Sequence, residues 1–337
     1  MDYQIQKIQF DNKKDKYYNA GIRKEMNYMI LIPDHQLQIR NTKIYSPKIK
    51  DPFKLVALGD THVSEMMEKT KLYPVQLQIE KENPDYIALV GDIVDAPSQL
   101  QHTYVQKKII EFVKAAAEVA PVFIVLGSHD YVDHKNQKDI YFYQRHFWED
   151  IIGTIDNVHL LYNDTYQDQQ AFFMGYWQTL DYYYNPNDVR HENLEKFHED
   201  FIKYPELYQN LPEDTVRIAL IHSPEFTKLE KNRQLIKDYD LLISGHMHDG
   251  CVPLGVGNFT TGLISPKKEF FPKKARGVFT LDTNTNVIVS GGIMKISDCA
   301  PKILHWANHL CPMQMDSITF TPGKEPIEIA KTKVYKR

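Results

Sequence analysis

Apolar runs closed by a glycine or a polar residue recur along the first 250 positions, and acids and histidines gather at their ends. The runs are Phe53 to Leu58, Tyr86 to Val90, Val122 to Leu126, Arg217 to Ile221 and Leu241 to Ser244. Near-continuous apolarity over so few residues, bounded by turn signals, predicts strands buried on both faces. Helical periodicity fills the gaps. Tyr73 to Glu82 is one such stretch, stopped by Pro84. Gln99 to Val119 is a second, with Val105, Ile109, Phe112, Val113 and Ala116 along one face. Strand, helix and strand in alternation predict βαβ units and a mainly parallel sheet.

Lys138 to Ile152 predicts a further helix, and His159 to Tyr162 and Ala171 to Met174 predict short strands. Beyond the fifth run the texture changes to short strands with turns, at Gly277 to Leu281, Val287 to Ser290 and Ile318 to Phe320. These suggest a second, more antiparallel sheet. At the start, residues 1–26 read as a polar, tyrosine-dotted lead-in. Tyr28 to Ile32 and Gln36 to Tyr45 then read as a hairpin about Pro33-Asp34-His35. The expected organisation is an N-terminal extension and leading hairpin over 1–50, a main domain over 51–320 and a tail over 321–337. Within the domain, 178–214 is a mostly helical insertion in which Tyr182, Tyr183, Tyr184, Phe197, Phe201, Tyr204 and Tyr208 sit among charges and prolines. Its aromatics either pack on the body, the commoner arrangement, or form a lid or substrate wall.

Composition narrows the class. Of 337 residues, 42% are hydrophobic and 25% charged, ordinary for a globular protein with a sizeable core. A net charge of -4 supplies no electrostatic footprint for nucleic acid, which is not expected as a partner. Cys251, Cys299 and Cys311 form no CxxC pair, which points to a reducing compartment rather than a disulfide framework. With no secretory pattern and no apolar run near the ~20 residues of a membrane span, the expected location is cytoplasmic.

The strand ends carry Asp60 and His62, Asp92 and Asp95, Ser128 and His129, His222, and His246 and His248. Taken alone, Asp92 or Asp95 could be a helix cap, and any one of the histidines a satisfied core or surface histidine. Together they hold five of the fourteen histidines, and side-by-side strands would bring all of them to one sheet edge. Carboxylate oxygens with imidazole nitrogens suit Mn, Fe or Zn. An i, i+2 pair such as Asp60/His62 points both side chains into one site if the backbone stays extended. The expectation is a metal site.

At these residues the chain resembles the calcineurin-like metallophosphoesterases, whose blocks are D-x-H, G-D-x-x-D, G-N-H-D/E, a lone His and G-H-x-H. Here they stand as Asp60-Thr61-His62, Gly91-Asp92-Ile93-Val94-Asp95, Gly127-Ser128-His129-Asp130, His222 and Gly245-His246-Met247-His248. The resemblance implies an α/β fold, a four-layer α-β-β-α sandwich of two mixed sheets, with a dinuclear centre between the sheet edges. It implies two divalent ions (Mn, Fe or Zn, with Mn favoured). Asp60, His62, Asp92 and His248 would hold one, and Asp92, Ser128, His222 and His246 the other. It also implies His129 as general acid, oriented by Asp95, and hydrolysis by attack of a metal-bridging hydroxide.

The chain departs from the pattern at Ser128, where the family carries asparagine. A hydroxyl is shorter and a weaker ligand, so weaker binding of the second ion is expected, and a non-catalytic metal-binding relative is the competing class. The expected substrate is a phosphodiester or nucleotide-like diphosphate, with a monoester as the alternative. Asp130 is expected to hydrogen-bond behind the ligands and hold them in place, with simple turn chemistry as the alternative. His134 is a candidate substrate contact, while His146 and His191 are expected at the surface. Pro266 to Arg276 puts five basic residues around Phe270 and Phe271. That is either a solvated face or a surface for anionic lipid headgroups or a diphosphate, allowing a lipid-linked substrate and peripheral membrane contact.

Overall fold

The computed structural model describes residues 37–68, 71–133, 138–185, 187, 191–252, 260–297, 305, 308, 311–325, 327–329 and 333–335. The proposed strand at 28–32, its turn at 33–35, His134 and Cys299 lie outside them. Two mixed sheets face one another. The first is built from β1 (Leu37–Ser46), β2 (Phe53–Leu58), β3 (Tyr86–Val90), β4 (Val122–Val125) and, beyond the small hairpin of β5 (Val132–Asp133) and β6 (Lys138–Asp139), β7 (Val158–Leu160). The second takes β8 (Asp164–Gln167), β9 (Ala171–Tyr176), β10 (Val216–Ile221), β11 (Leu241–Ser244), β12 (Gly277–Thr280) and β13 (Asn286–Val289). The last three strands, β14 (Met313–Pro322), β15 (Glu328–Ile329) and β16 (Lys333–Tyr335), return to the first sheet.

Strand order is β15-β1-β14-β2-β3-β4-β7 in the first sheet, with β16 also paired to β1, and β12-β13-β11-β10-β9-β8 in the second. Pairs β2–β3, β3–β4, β9–β10, β10–β11 and β11–β13 are parallel. The expected second, more antiparallel sheet of late strands is therefore corrected. β12 and β13 extend the sheet that already holds β10 and β11. The strand containing Ile318 to Phe320 instead inserts between β1 and β2 of the first sheet. An isolated short strand carries no information about its partner. Pairing with β1 in parallel register, Leu37 opposite Met313 through Ser46 opposite Pro322, satisfies ten residues of backbone on each strand.

Helices cover the outer faces, making the four layers. α1 (Tyr73–Glu82) ends as Asn83 enters the left-handed region, and α2 (Thr103–Ala117) buries Val105, Ile109, Phe112, Val113 and Ala116. The one-turn α3 (Ser128–Tyr131) follows β4 directly. The helix expected over 138–152 is broken into β6, α4 (Tyr141–Arg145), a π-helical turn at His146–Ile151 and a 3-10 turn at Ile152–Thr154. Between the sheets, Phe123 of β4 stacks on Phe173 of β9 at 4.1 Å between ring centroids. Tyr86 of β3 meets the same ring at 5.2 Å.

The segment 178–214 contributes α5 (Leu180–Tyr183) and α6 (Leu194–Phe201). Asn193 caps α6, its side chain accepting from the Lys196 N–H. Phe197 stacks on Phe226 at 4.1 Å, and Phe201 packs edge-on against Tyr176 at 4.8 Å. These contacts dock α6 on the second sheet, together with α7 (Glu230–Leu235), whose Asn232 amide donates to the Leu194 carbonyl. Among the described residues no helix is long and apolar enough to cross a membrane.

Candidate metal centre

The parallel registers bring the carboxyl ends of β2, β3 and β4 level, with Leu58 opposite Leu89 and Val90 opposite Val125. Beyond them the loops run together: the N–H groups of Asp60, His62 and Val63 donate to the carbonyls of Gly91, Asp92 and Ile93. In the second sheet Leu220 lies opposite Ile243, so His222 emerges beside Gly245, whose N–H donates to the His222 carbonyl. The two sheets then cross-link. His222 Nδ1 donates to the Val90 carbonyl at 2.7 Å, and the His246 N–H donates to Asp60 Oδ1 at 2.9 Å. The strand ends thus converge from two facing sheets and not along one sheet edge, as side-by-side strands would have it.

Three groups of ligand atoms result, each within 4.8 Å: Asp60, His62, Asp92 and His248; Asp92, His222 and His246; and His62, Asp95 and His129. Asp92 belongs to the first two. Its Oδ2 lies 3.0 Å from His222 Nε2 and 3.8 Å from His62 Nε2, while Oδ1 accepts the His129 N–H at 2.8 Å. Asp60, His62, Asp92, His246 and His248 all have positive φ, between 43° and 68°. The extended backbone expected for the i, i+2 pairs is corrected: Asp and His tolerate the left-handed region better than most residues, and the turns it makes aim both side chains inward. Non-glycine residues in such conformations gather at functional sites because surrounding contacts must hold them there.

Each histidine has its outer nitrogen held. His62 Nδ1 donates to Asp95 Oδ1 at 3.1 Å, His222 Nδ1 to the Val90 carbonyl, and His248 Nδ1 to the Met294 carbonyl at 2.9 Å. This is how protein sites orient metal-binding imidazoles. The inward atoms His62 Nε2, His222 Nε2 and Asp60 Oδ2 are buried and make no hydrogen bond among the described residues. Orphaned buried polar atoms are rare and costly, and a cation would satisfy all three. The donor set therefore fits divalent ions.

Electrostatics agree. Burial alone would lower His62, but the Asp95 hydrogen bond and the charges of Asp92 and Asp60 hold it up at about 9. Burial is likewise outweighed at His222, which Asp92 raises to about 9. Asp92 is driven well below the usual carboxylate range: burial opposes the shift, and His222, His129 and His62 prevail. Burial takes His248 down to about 4. In the metal-free protein the anionic pocket thus holds protons on His62 and His222, the positions where a cation would compete for the same nitrogen lone pairs.

The third group differs from expectation in detail. The Asp95 carboxylate contacts His62, and it is the Asp95 main-chain carbonyl that accepts from His129 Nδ1, at 2.5 Å. Asp130 accepts from the N–H groups of Ile93, Val94 and Gly127 at 2.8–3.0 Å, tying the second and third motif loops together. Ser128 is buried at the start of α3, its neighbours anchored on Asp130 and Asp92. His146 is exposed and His191 half-buried.

Two features went unseen in the sequence. Glu192, buried within the insertion, accepts from His246 Nε2 at 3.1 Å. Burial would raise its carboxyl, and the His246 contact keeps it below the usual range. Nothing in the local pattern around Glu192 marks it. Behind the fifth motif, Lys295, 1% exposed, donates to Asp249 Oδ2 at 2.8 Å and to the Gly291 and Gly292 carbonyls.

The calcineurin-like phosphoesterase family model matches residues 53–250, more than half of the chain. The chain belongs to the calcineurin-like phosphoesterase family. Its fold is thereby the one the resemblance implied, and its chemistry is hydrolysis of phosphate esters. An uncharacterized metallophosphoesterase of Campylobacter jejuni is 21% identical over 292 residues, covering 83% of this chain and 67% of the relative. The uncharacterized metallophosphoesterase YkuE of Bacillus subtilis is 28% identical over 107 residues, 31% of this phosphoesterase and 36% of that protein. Among solved structures, a dimetal phosphatase from Danio rerio aligns with a TM-score of 0.44 at 14% identity, covering 73% of this chain and 89% of its own.

Proposed function

We propose that this phosphoesterase hydrolyses a phosphodiester or a nucleotide-like diphosphate at the Asp92 site, with a phosphomonoester as the competing substrate. The reading rests on Asp92, a buried carboxylate shared by two ligand groups, whose Oδ2 lies 3.0 Å from His222 Nε2 and 3.8 Å from His62 Nε2. Asp60, His62, Asp92 and His248 would hold one cation; Asp92, His222 and His246 would hold the other, with Ser128 beside them. Two cations held there, Mn favoured over Fe or Zn, would supply positive charge for the phosphate oxygens and lower the pKa of a water.

The chain's own residues do the rest. The left-handed turns at Asp60, His62, Asp92, His246 and His248 preset the ligand geometry. His129 is half-buried with Nδ1 held on the Asp95 carbonyl, and its imidazole is the group that passes a proton to the leaving oxygen. Asp95 thereby positions His62 through its carboxylate and His129 through its carbonyl. Cys251 and Cys311, both buried free thiols, accord with a reducing, cytoplasmic setting.

A lipid-linked, peripherally bound substrate is the second reading, favoured by the loop after the fifth motif. Phe270 and Phe271 are 68% and 60% exposed, next to exposed Lys268, Lys273 and Lys274. Lys267 and Arg276 are instead turned inward, onto the Tyr183 carbonyl and Asp249.

Hydrolysis of bis-p-nitrophenyl phosphate against p-nitrophenyl phosphate, with added Mn²⁺, tests the proposal. Turnover is expected to favour the diester and to vanish with a chelator and in Asp92→Asn. Equal turnover in wild type and Asp92→Asn would refute the site, and no turnover with metal bound would favour the non-catalytic class. Ser128→Asn is expected to lower the Mn²⁺ concentration needed for half-maximal activity; an unchanged titration would show that residue 128 does not touch the second ion.

A further inference from the structure

Glu192 is an acid with no counterpart among the five motifs, yet its carboxylate is buried and 3.1 Å from a motif histidine. Its place is built by rigid contacts. The N–H of the next residue, Asn193, donates to the Tyr182 carbonyl at 2.7 Å, and Asn193 then caps α6. Tyr183 packs its ring 5.8 Å from the His246 ring. The contact spans 54 positions, from the insertion to the fifth motif.

We propose that Glu192 is a positioning residue for the second cation, acting through His246. A carboxylate accepts, so it fixes the hydrogen of His246 on Nε2 and leaves Nδ1 as the lone pair for a cation held with Asp92 and His222. His62, His222 and His248 have Nδ1 held and Nε2 near the carboxylates of Asp92 or Asp60; His246 is the inverted case, and its holder comes from outside the motif set. The arrangement links the insertion to metal occupancy. With α6 docked, His246 is set for the cation; with the cation bound, His246 anchors the segment that precedes α6. Linkage makes the two effects reciprocal.

The inference rests on the two-cation reading above, and its test reads binding, not turnover. Calorimetric Mn²⁺ titration of the wild-type chain is compared with Glu192→Ala, Glu192→Gln and Glu195→Ala, whose exposed carboxylate in the first turn of α6 serves as the charge control. Loss of a carboxylate that orients a ligating histidine weakens metal binding about 10–100-fold. Glu192→Ala is expected to weaken one of two sites by that factor and to lose the exchange-coupled Mn pair signal in electron paramagnetic resonance at two equivalents. Glu192→Gln, whose amide oxygen still accepts from Nε2, is expected to recover part of the affinity, and Glu195→Ala to match wild type. Glu192 variants that bind both ions like wild type, or that weaken both sites alike, would overturn the inference alone. A wild-type chain that takes up only one ion would overturn the two-cation reading and this inference with it.

Discussion

Replacing Gly91 with alanine adds one methyl group at the point where the two sheets meet. Gly91 has φ of +87°, and a Cβ there would lie 2.5 Å from His222 Nδ1, 2.6 Å from the Gly127 nitrogen and 2.8 Å from the Gly127 Cα. Two of these neighbours are backbone and cannot swing aside. An L-residue at positive φ costs about 1–2 kcal/mol, and overpacking a tight site adds about 1–3 kcal/mol. Displacing His222 also strains its 2.7 Å hydrogen bond to Val90, a further contribution of about 1 kcal/mol. The sum is about 3–6 kcal/mol, a large share of the stability of many domains. Equilibrium urea unfolding of Gly91→Ala beside wild type, both with chelator, measures it directly. Gly127→Ala separates the causes: its added Cβ would sit 2.3 Å from Asp92 Oδ1 without the positive-φ penalty, and a loss of about 1–3 kcal/mol is expected. A loss below 1 kcal/mol in Gly91→Ala would refute the view that the sheets approach too closely here for any side chain.

Two further variants test the packing around the site. Asp200 accepts from Thr179 Oγ1 at 2.9 Å and from Lys196 and Lys203 at 2.7 and 2.6 Å, and Asp200→Asn is expected to cost about 1–3 kcal/mol at pH 7. Burial would raise its carboxyl, the two lysines and Thr179 hold it below the unfolded value of 3.8, and so its contribution is present above that value and lost as pH falls through the folded one. Urea unfolding at stepped pH should show the gap between wild type and Asp200→Asn closing in acid; a gap that widens would contradict the assignment. Lys295→Met leaves Asp249 buried without its nearest cation, and about 3–5 kcal/mol is expected from the same assay, partly recovered when Asp249→Asn is added. No recovery in the double variant would mean that the Gly291 and Gly292 carbonyls, and not Asp249, are what Lys295 holds.

The sequence alone was enough to locate the core strands and the donors. Tyr86–Val90 is apolar over its whole length, Leu241–Ser244 up to its last residue, and Phe53–Leu58 is interrupted only by Lys54, because the strands are covered on both faces. Asp60, His62, Asp92, His222, His246 and His248 stand at strand ends, where a local pattern of apolar run, turn and donor marks them. Tertiary structure decided which sheet each strand joins, since a short strand's pattern does not name its partner and β14 pairs with β1 across the length of the chain. It decided that Asp95 presents its carboxylate to His62 and its carbonyl to His129, because a left-handed backbone at Asp60, His62 and Asp92, and not an extended one, sets where these side chains point. It also supplied Glu192, whose role depends on a contact 54 residues away that only the docking of α6 against the second sheet creates. Periodicity records burial, which is a property of one segment; the pairing of a proton on His246 with a carboxylate in an insertion is a property of two.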